Sequence, residues 1–229
     1  MNHQNRRAGE GELPYLARAS LYQFLAHCFA YPEPDLLDLI GSNVTPYVDI
    51  WTKAGLNAAD EIDAMIAWRK PFTPEEALER LQIEYTRLFV NTFPRIPAPP
   101  YSAIYLTDGQ RPGVWGNSTA QAVRLYEEAG LFPSGEFNDL PDHIAAELEF
   151  VSYLITQQIP PSGDEDAIRN LSRIEQSFLE DHLYLWAPAF FKRVQESTQN
   201  DFFQSAAKLA FHFIEWDRQT APTNTEANR

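Results

Sequence analysis

The chain has 229 residues, of which 44% are hydrophobic and 13% aromatic, so it can bury the core of one large or two small domains and does not belong to the disordered class. Its 32 acidic residues outnumber 18 basic ones, and the resulting formal charge of -14 repels phosphate backbones, excludes a nucleic-acid partner and attracts cationic peptides. The single cysteine, Cys28, excludes an intramolecular disulfide and a cysteine-built zinc cluster, and no run reaches the roughly 18 apolar residues of a membrane span, so no stable membrane insertion is expected.

Residues 1–12 are polar and read as a disordered tail. Arg6-Arg7 leads into Ala8-Gly9-Glu10-Gly11-Glu12 rather than an apolar stretch, so the pair does not start an export signal and a cytoplasmic location is expected. From Leu13 the apolar positions Leu16, Ala17, Leu21, Phe24, Leu25 and Cys28 recur at helical spacing, which predicts an amphipathic helix to about Ala30, stopped by Pro32 and Pro34. Cys28 falls on that stripe as a buried, inert thiol. Short helices are predicted over 35–40 and 58–68, with Gly41, Pro46 and Gly55 as breaks. Thr73-Pro74-Glu75-Glu76 is a stronger signal. Thr73 can cap, Pro74 suits the first helical position, and Glu76 completes a capping box. The helix so started buries Ala77, Leu78, Leu81, Tyr85, Leu88 and Phe89 and ends near Thr92.

The next stretch, to about Trp115, has no helical or alternating period and carries Pro94, Pro97, Pro99, Pro100 and Pro112. Structureless connections beyond ~12–15 residues are uncommon in a compact domain and are usually functional or disordered. Phe93, Tyr101, Tyr105 and Trp115 argue against disorder here. Ser118, with Gln121 behind it, is predicted to cap a helix that Gly130 ends. After Pro141, the stripe Ile144, Leu148, Val151 and Ile155 predicts a helix that Pro160-Pro161 breaks. Helices follow over roughly 163–180, 182–198 and 201–218, the last burying Phe202, Ala206, Leu209, Phe213 and Ile214, and the chain from 219 reads as a disordered tail. No stretch alternates with period two, so the expected fold is all-α, a single helical domain over 13–218 with no internal repeat.

Phosphate-loop, nucleophile-elbow and His-Glu-x-x-His signatures are all missing. None of the five histidines has a glutamate three residues before it, as a di-iron bundle requires. No catalytic group, metal or cofactor is therefore expected, and His182 reads as structural. Asp142 and His143 are the informative pair. Behind Pro141 they are predicted in the first turn of a helix, where amide groups stabilise a carboxylate, and His143 is set to pair with Glu147 one turn on. From residue types alone this pattern reads first as a helix-start charge beside a surface His–Glu pair, and second as a binding site. The Pro97-Ala98-Pro99-Pro100-Tyr101 segment either stiffens a crossing loop or forms a rigid aromatic platform for an apolar ligand, and residue types alone do not separate the two.

In these same residues the chain resembles the TorD/DmsD-type (TorD/NarJ-like) chaperones that assist maturation of molybdenum redox enzymes. The resemblance is carried by Glu84-Tyr85-Thr86-Arg87-Leu88-Phe89, Pro97-Ala98-Pro99-Pro100-Tyr101 with Tyr105, Gly116-Asn117-Ser118-Thr119, and Pro141-Asp142-His143 with Glu147 and Phe150. Glu180-Asp181-His182 with Trp186-Ala187-Pro188 and Phe190 extends it, so that it covers Leu13 to Asp217. Asn91-Thr92-Phe93-Pro94 departs from the Gly-Pro that often follows the Leu-Phe pair in the family.

The resemblance implies an all-helical, single-domain, non-enzymatic protein. Its partner would be the twin-arginine leader and apo catalytic subunit of a molybdopterin-containing oxidoreductase, held back from export until the cofactor is inserted. By matching positions, the leader-binding surface would comprise Tyr85, Leu88, Phe89, Pro100, Tyr101, Tyr105, Gly116, Asp142 and His143. A leader with a basic start and an apolar middle needs an aromatic groove beside carboxylates, and Asp142 would supply charge-assisted bonds to arginine. The state would be a monomer or a helix-swapped dimer. The alternatives are a nucleotide- or metal-dependent hydrolase on a helical scaffold, and an assembly factor that grips only the mature client.

Overall fold

The computed structural model describes residues 12–106, 117–131, 140–159 and 165–220. Helix α1 (Leu13–Phe29) buries residues on nearly every side, including Leu21, Tyr22, Phe24, Leu25, Cys28 and Phe29. A helix buried all round belongs in the middle of a bundle. It lies along the helix Ile144–Gln157, where the Ser152 hydroxyl donates to the Ala19 carbonyl at 2.9 Å. The two run antiparallel. Ala19 in the first half of α1 meets the later half of the second helix, while Tyr31, just past α1, lies edge-on to Tyr85 beside the second helix's first residues.

In chain order, α1 is followed by α2 (Pro34–Asp38), α3 (Thr45–Lys53), α4 (Ala59–Arg69), α5 (Pro74–Tyr85), the short α6 (Ser102–Tyr105) and α7 (Asn117–Glu128). Then come α8 (Ile144–Gln157), α9 (Glu165–Phe178), α10 (Tyr184–Ser197) and α11 (Asp201–Thr220). Helices α4 and α10 flank α11, α9 packs on α8, and α6 bridges α7 and α10. One hydrophobic core runs through them, with Phe29, Phe89, Phe190, Phe191 and Phe203 forming a web of ring contacts where α1, the end of α5, α10 and α11 meet. The expected all-α bundle is the fold observed. Its packing rests on the predicted stripes, for Ile144, Leu148, Val151 and Ile155 are each 0% exposed.

Several boundaries differ from expectation. Pro46 does not break the chain. It sits in the first turn of α3, where its missing N–H costs nothing. Ser118 does not cap α7 but lies inside it, one residue after Asn117. The helices predicted as 163–180 and 182–198 join without interruption through a π-helical turn, Leu179–Leu183, and a second such turn, Thr86–Val90, continues α5. Helix α11 extends two residues past 218, and the tails predicted as disordered lie otherwise almost wholly outside the described residues.

The capping box at α5 forms as predicted. Glu76 N donates to Thr73 Oγ1 at 3.2 Å and Thr73 N to Glu76 Oε2 at 3.0 Å. Thr73→Ala is expected to cost about 1 kcal/mol, a fall of roughly 2–4 °C in a thermal melt of a domain this size. An unchanged melt would show that tertiary contacts alone hold this end of α5.

Candidate functional site

The proline-rich crossing is fastened to the bundle at both ends. Ala98 N donates to the Leu88 carbonyl at 3.0 Å, and Arg193 Nε donates to the Pro97 carbonyl at 2.5 Å. At the other end, Ile144 N donates to the Pro100 carbonyl at 2.8 Å and Ser102 N to the Asp142 carbonyl at 3.0 Å, an isolated antiparallel bridge that sets Tyr101 opposite His143. The Asp142 carboxylate reinforces it by accepting from Ala103 N at 3.2 Å. Crossing and α8 entrance are one stapled unit.

His143 is the N-cap of α8, where its Nδ1 accepts from Ala145 N at 3.2 Å. With Nδ1 accepting, the neutral ring carries its proton on Nε2, which faces the Tyr85 hydroxyl at 3.4 Å. The Tyr101 ring lies edge-on to His143 at 5.3 Å, and Tyr31, 49% exposed, lies edge-on to Tyr85 at 5.4 Å. Tyr31, Tyr85, Tyr101 and His143 thus form one corner built from four separate segments. Tyr31 is the member that sequence inspection did not flag, because it stands in the loop after α1 and outside every periodic stripe.

The other predicted site residues fall into layers. Leu88, Phe89 and Pro100 are buried and support the corner from beneath. Tyr105 is half-buried against Trp186 and Phe190, and burial, opposed by nearby Arg193, pushes its phenol up to about 12. Gly116 lies outside the described residues. Asp142 is 0% exposed and precedes the helix instead of occupying its first turn. Burial raises its pKa, against the Ala103 amide, the Thr119 hydroxyl and the charge of His182.

The expected His143–Glu147 pair does not form. As the N-cap, His143 is extended and outside the i,i+4 geometry. Glu147 instead accepts from His182 Nε2 at 2.7 Å and Trp186 Nε1 at 2.9 Å, with all three side chains buried. Glu147 sits between Ile144 and Leu148 on the apolar stripe, and an acid at such a position requires a partner. That signal was present in the sequence, but the identity of the partner was not.

Burial raises the pKa of Glu147, against the opposing pull of His182 and Trp186. For His182 burial opposes the charged ring, yet the charge and hydrogen bond of Glu147, with the charge of Asp142, carry its pKa above the ordinary 6.5. A raised folded pKa adds stability that is complete below the unfolded value and is lost as pH rises through the folded one. The thermal midpoint should therefore fall as pH rises above 6.5, and His182→Gln should flatten that slope. An identical slope in the variant would assign it elsewhere. Among the described residues no group of three or more metal-ligating side chains converges, and no helix is long and apolar enough to cross a membrane.

Comparison with known proteins gives the family. The model of the nitrate reductase delta subunit family matches residues 52–192, which contain Tyr85, the crossing, Asp142-His143 and His182. The chain is 27% identical over 213 residues to the chaperone protein TorD of Shewanella pealeana, covering 88% of each chain. It is 26% identical over 136 residues to the perchlorate reductase assembly chaperone protein of Dechloromonas aromatica, 58% of this chain and 59% of that one. A crystal structure of a redox enzyme maturation protein from Archaeoglobus fulgidus shares the fold with a TM-score of 0.55 at 23% identity, over 93% of this chain and 99% of that one. The chain belongs to the nitrate reductase delta subunit family, together with the TorD-type chaperones.

Proposed function

We propose that this protein is a non-enzymatic, system-specific chaperone for the maturation of a molybdenum-containing reductase, and that its corner of Tyr31, Tyr85, Tyr101 and His143 receives the client's twin-arginine leader. The observation that carries this reading is the stapled crossing. Residues matching the family's motifs, remote from one another in sequence, meet at one corner through the Tyr101–His143 bridge and the Tyr85–His143 contact. Aromatic rings held on a rigid support offer apolar contact area at little entropic cost, the pattern of binding hot spots. The overall charge of -14 speeds encounter with a basic segment.

In this reading the leader's apolar stretch lies against the tyrosines, and the buried layer of Leu88, Phe89, Pro100 and Asp142 keeps them in register. Holding the leader delays export of the apo subunit until its cofactor is inserted, in a cytoplasmic setting. Calorimetric titration with the leader peptide of a molybdoenzyme encoded beside this gene tests it. Saturable binding that weakens with salt is expected. No binding to any such leader, with unimpaired cofactor loading in a strain lacking the protein, would overturn it.

A further inference from the structure

On a different face, a groove of about 890 Å³ opens between α1, the segment from α2 to the start of α3, and the later half of α8. Its lining on α1 extends from Leu16 to His27, which is about 16 Å of helix at 1.5 Å per residue. Such an elongated trough suits a run of polypeptide better than a compact small molecule. Phe24, Leu39 and Tyr47 supply apolar wall. The hydroxyls on its floor are already engaged, because Ser152 donates to the Ala19 carbonyl, Ser20 accepts from Trp51 Nε1 and Thr156 donates to the Ser152 carbonyl. An incoming chain therefore meets no free hydroxyl from Ser20, Ser152 or Thr156, while Gln23, Asn43 and His27 add amide and imidazole groups to the lining.

The charge is confined to one end. Asp35 and Asp38 line it from α2, the helix that follows the His27 end of α1, and among the described residues no lysine or arginine lines the groove. Both carboxylates are exposed and neither forms an ion pair among the described residues; Asp35 accepts only the amide of Leu36, at 2.9 Å. The last carbonyls of α1 add partial negative charge at that same end. A cation is the complement of this end, and an apolar segment is the complement of the rest.

We propose that this groove takes a short apolar segment of the client polypeptide, with a lysine or arginine at the end that meets Asp35 and Asp38. The inference rests on the reading that the protein holds a client. His27 lies in the last turn of α1, four residues in the chain before Tyr31, whose ring contacts Tyr85. The loop that carries Tyr31 thus links the corner to the end of α1 that lines the groove.

The test measures fluorescence anisotropy with a labelled peptide of two arginines followed by a leucine–alanine run, and with a twin carrying glutamine at both arginine positions. Asp38→Lys is expected to weaken the arginine peptide by about tenfold, the order of one charge-assisted bond, and to leave the twin unchanged. Thr156→Trp, which fills the trough from an exposed position, should weaken both peptides. Wild-type binding in both variants would overturn the groove. If Tyr101→Ala alone abolishes that binding, the groove fails while the leader reading stands. If the wild-type protein binds neither these peptides nor any native leader, both fail.

Discussion

Replacing Asp217 by alanine is expected to cost about 3–5 kcal/mol, a drop of roughly 6–20 °C in the unfolding midpoint for a domain of this size. Asp217 is 0% exposed and accepts from Arg18 through both Nε and Nη2, from the Tyr22 hydroxyl at 2.6 Å and from the Tyr184 hydroxyl at 2.8 Å. Arg18 Nη2 also donates to Glu175 Oε1 at 2.6 Å, and Glu175 Oε2 accepts from Gln158 at 2.6 Å. A single buried guanidinium therefore ties α1 to α9 and α11, while Tyr184 and Gln158 bring in α10 and the end of α8. Burial works against the charge on Arg18, yet the carboxylates of Asp217 and Glu175 raise its pKa well above the ordinary value. Burial and the Asp217 charge push the Tyr22 phenol upward as well.

Removing Asp217 strands Arg18 with only one counter-charge and leaves two buried hydroxyls without their acceptor, which is why the single substitution is severe. Its desolvation cost also predicts the control. The triple variant Arg18→Met, Glu175→Gln and Asp217→Asn removes the three charges together, keeps an oxygen acceptor for the two tyrosine hydroxyls, and should recover part of the loss. Differential scanning calorimetry of the three proteins decides it. A single-variant midpoint within a few degrees of wild type would show that water enters and solvates Arg18, and that the network clamps nothing.

How far all this was legible in the sequence depended on the range of each interaction. The start of α5 was legible because a capping box is local, and the α8 stripe because periodicity is local. Pro46 misled because proline breaks a helix interior but suits a helix start, and only the following turn tells which applies. The fate of Glu147 was half legible. Its place on an apolar stripe demanded a partner, but His182 lies 35 residues away and arrives only through the packing of the π-helical turn against α8. Asp142 was misplaced for the same reason. Its burial is imposed by the Pro100–Ala103 crossing, which docks on it from about forty residues upstream in the chain. Leu88 and Phe89 carried a family motif that reads equally as groove or core, and in the fold they are core.

Asp142→Asn separates the two roles that this carboxylate could have, and it is best read beside Tyr101→Ala. Tyr101 is half-buried, its ring edge-on to His143, so truncating it should weaken leader binding by roughly 30-fold, about 2 kcal/mol, the scale of an aromatic hot spot. The thermal midpoint should move little, because the bridge to His143 is made by backbone and survives the change. Asp142 is different in kind. Its Oδ2 satisfies the buried Ala103 amide, so Asp142→Ala leaves that donor unpaired at about 1–3 kcal/mol and should lower stability and affinity together. Asparagine keeps a carbonyl oxygen for the same amide while removing the charge. If Asp142 acts by stapling the crossing, Asp142→Asn binds the leader nearly as wild type does and with the same salt dependence. If it instead meets a leader arginine directly, Asp142→Asn loses affinity as the alanine variant does, and its binding becomes less sensitive to salt. The inward-facing carboxylate leads us to expect the first outcome, and calorimetric titration of the four proteins at two salt concentrations distinguishes it from the second.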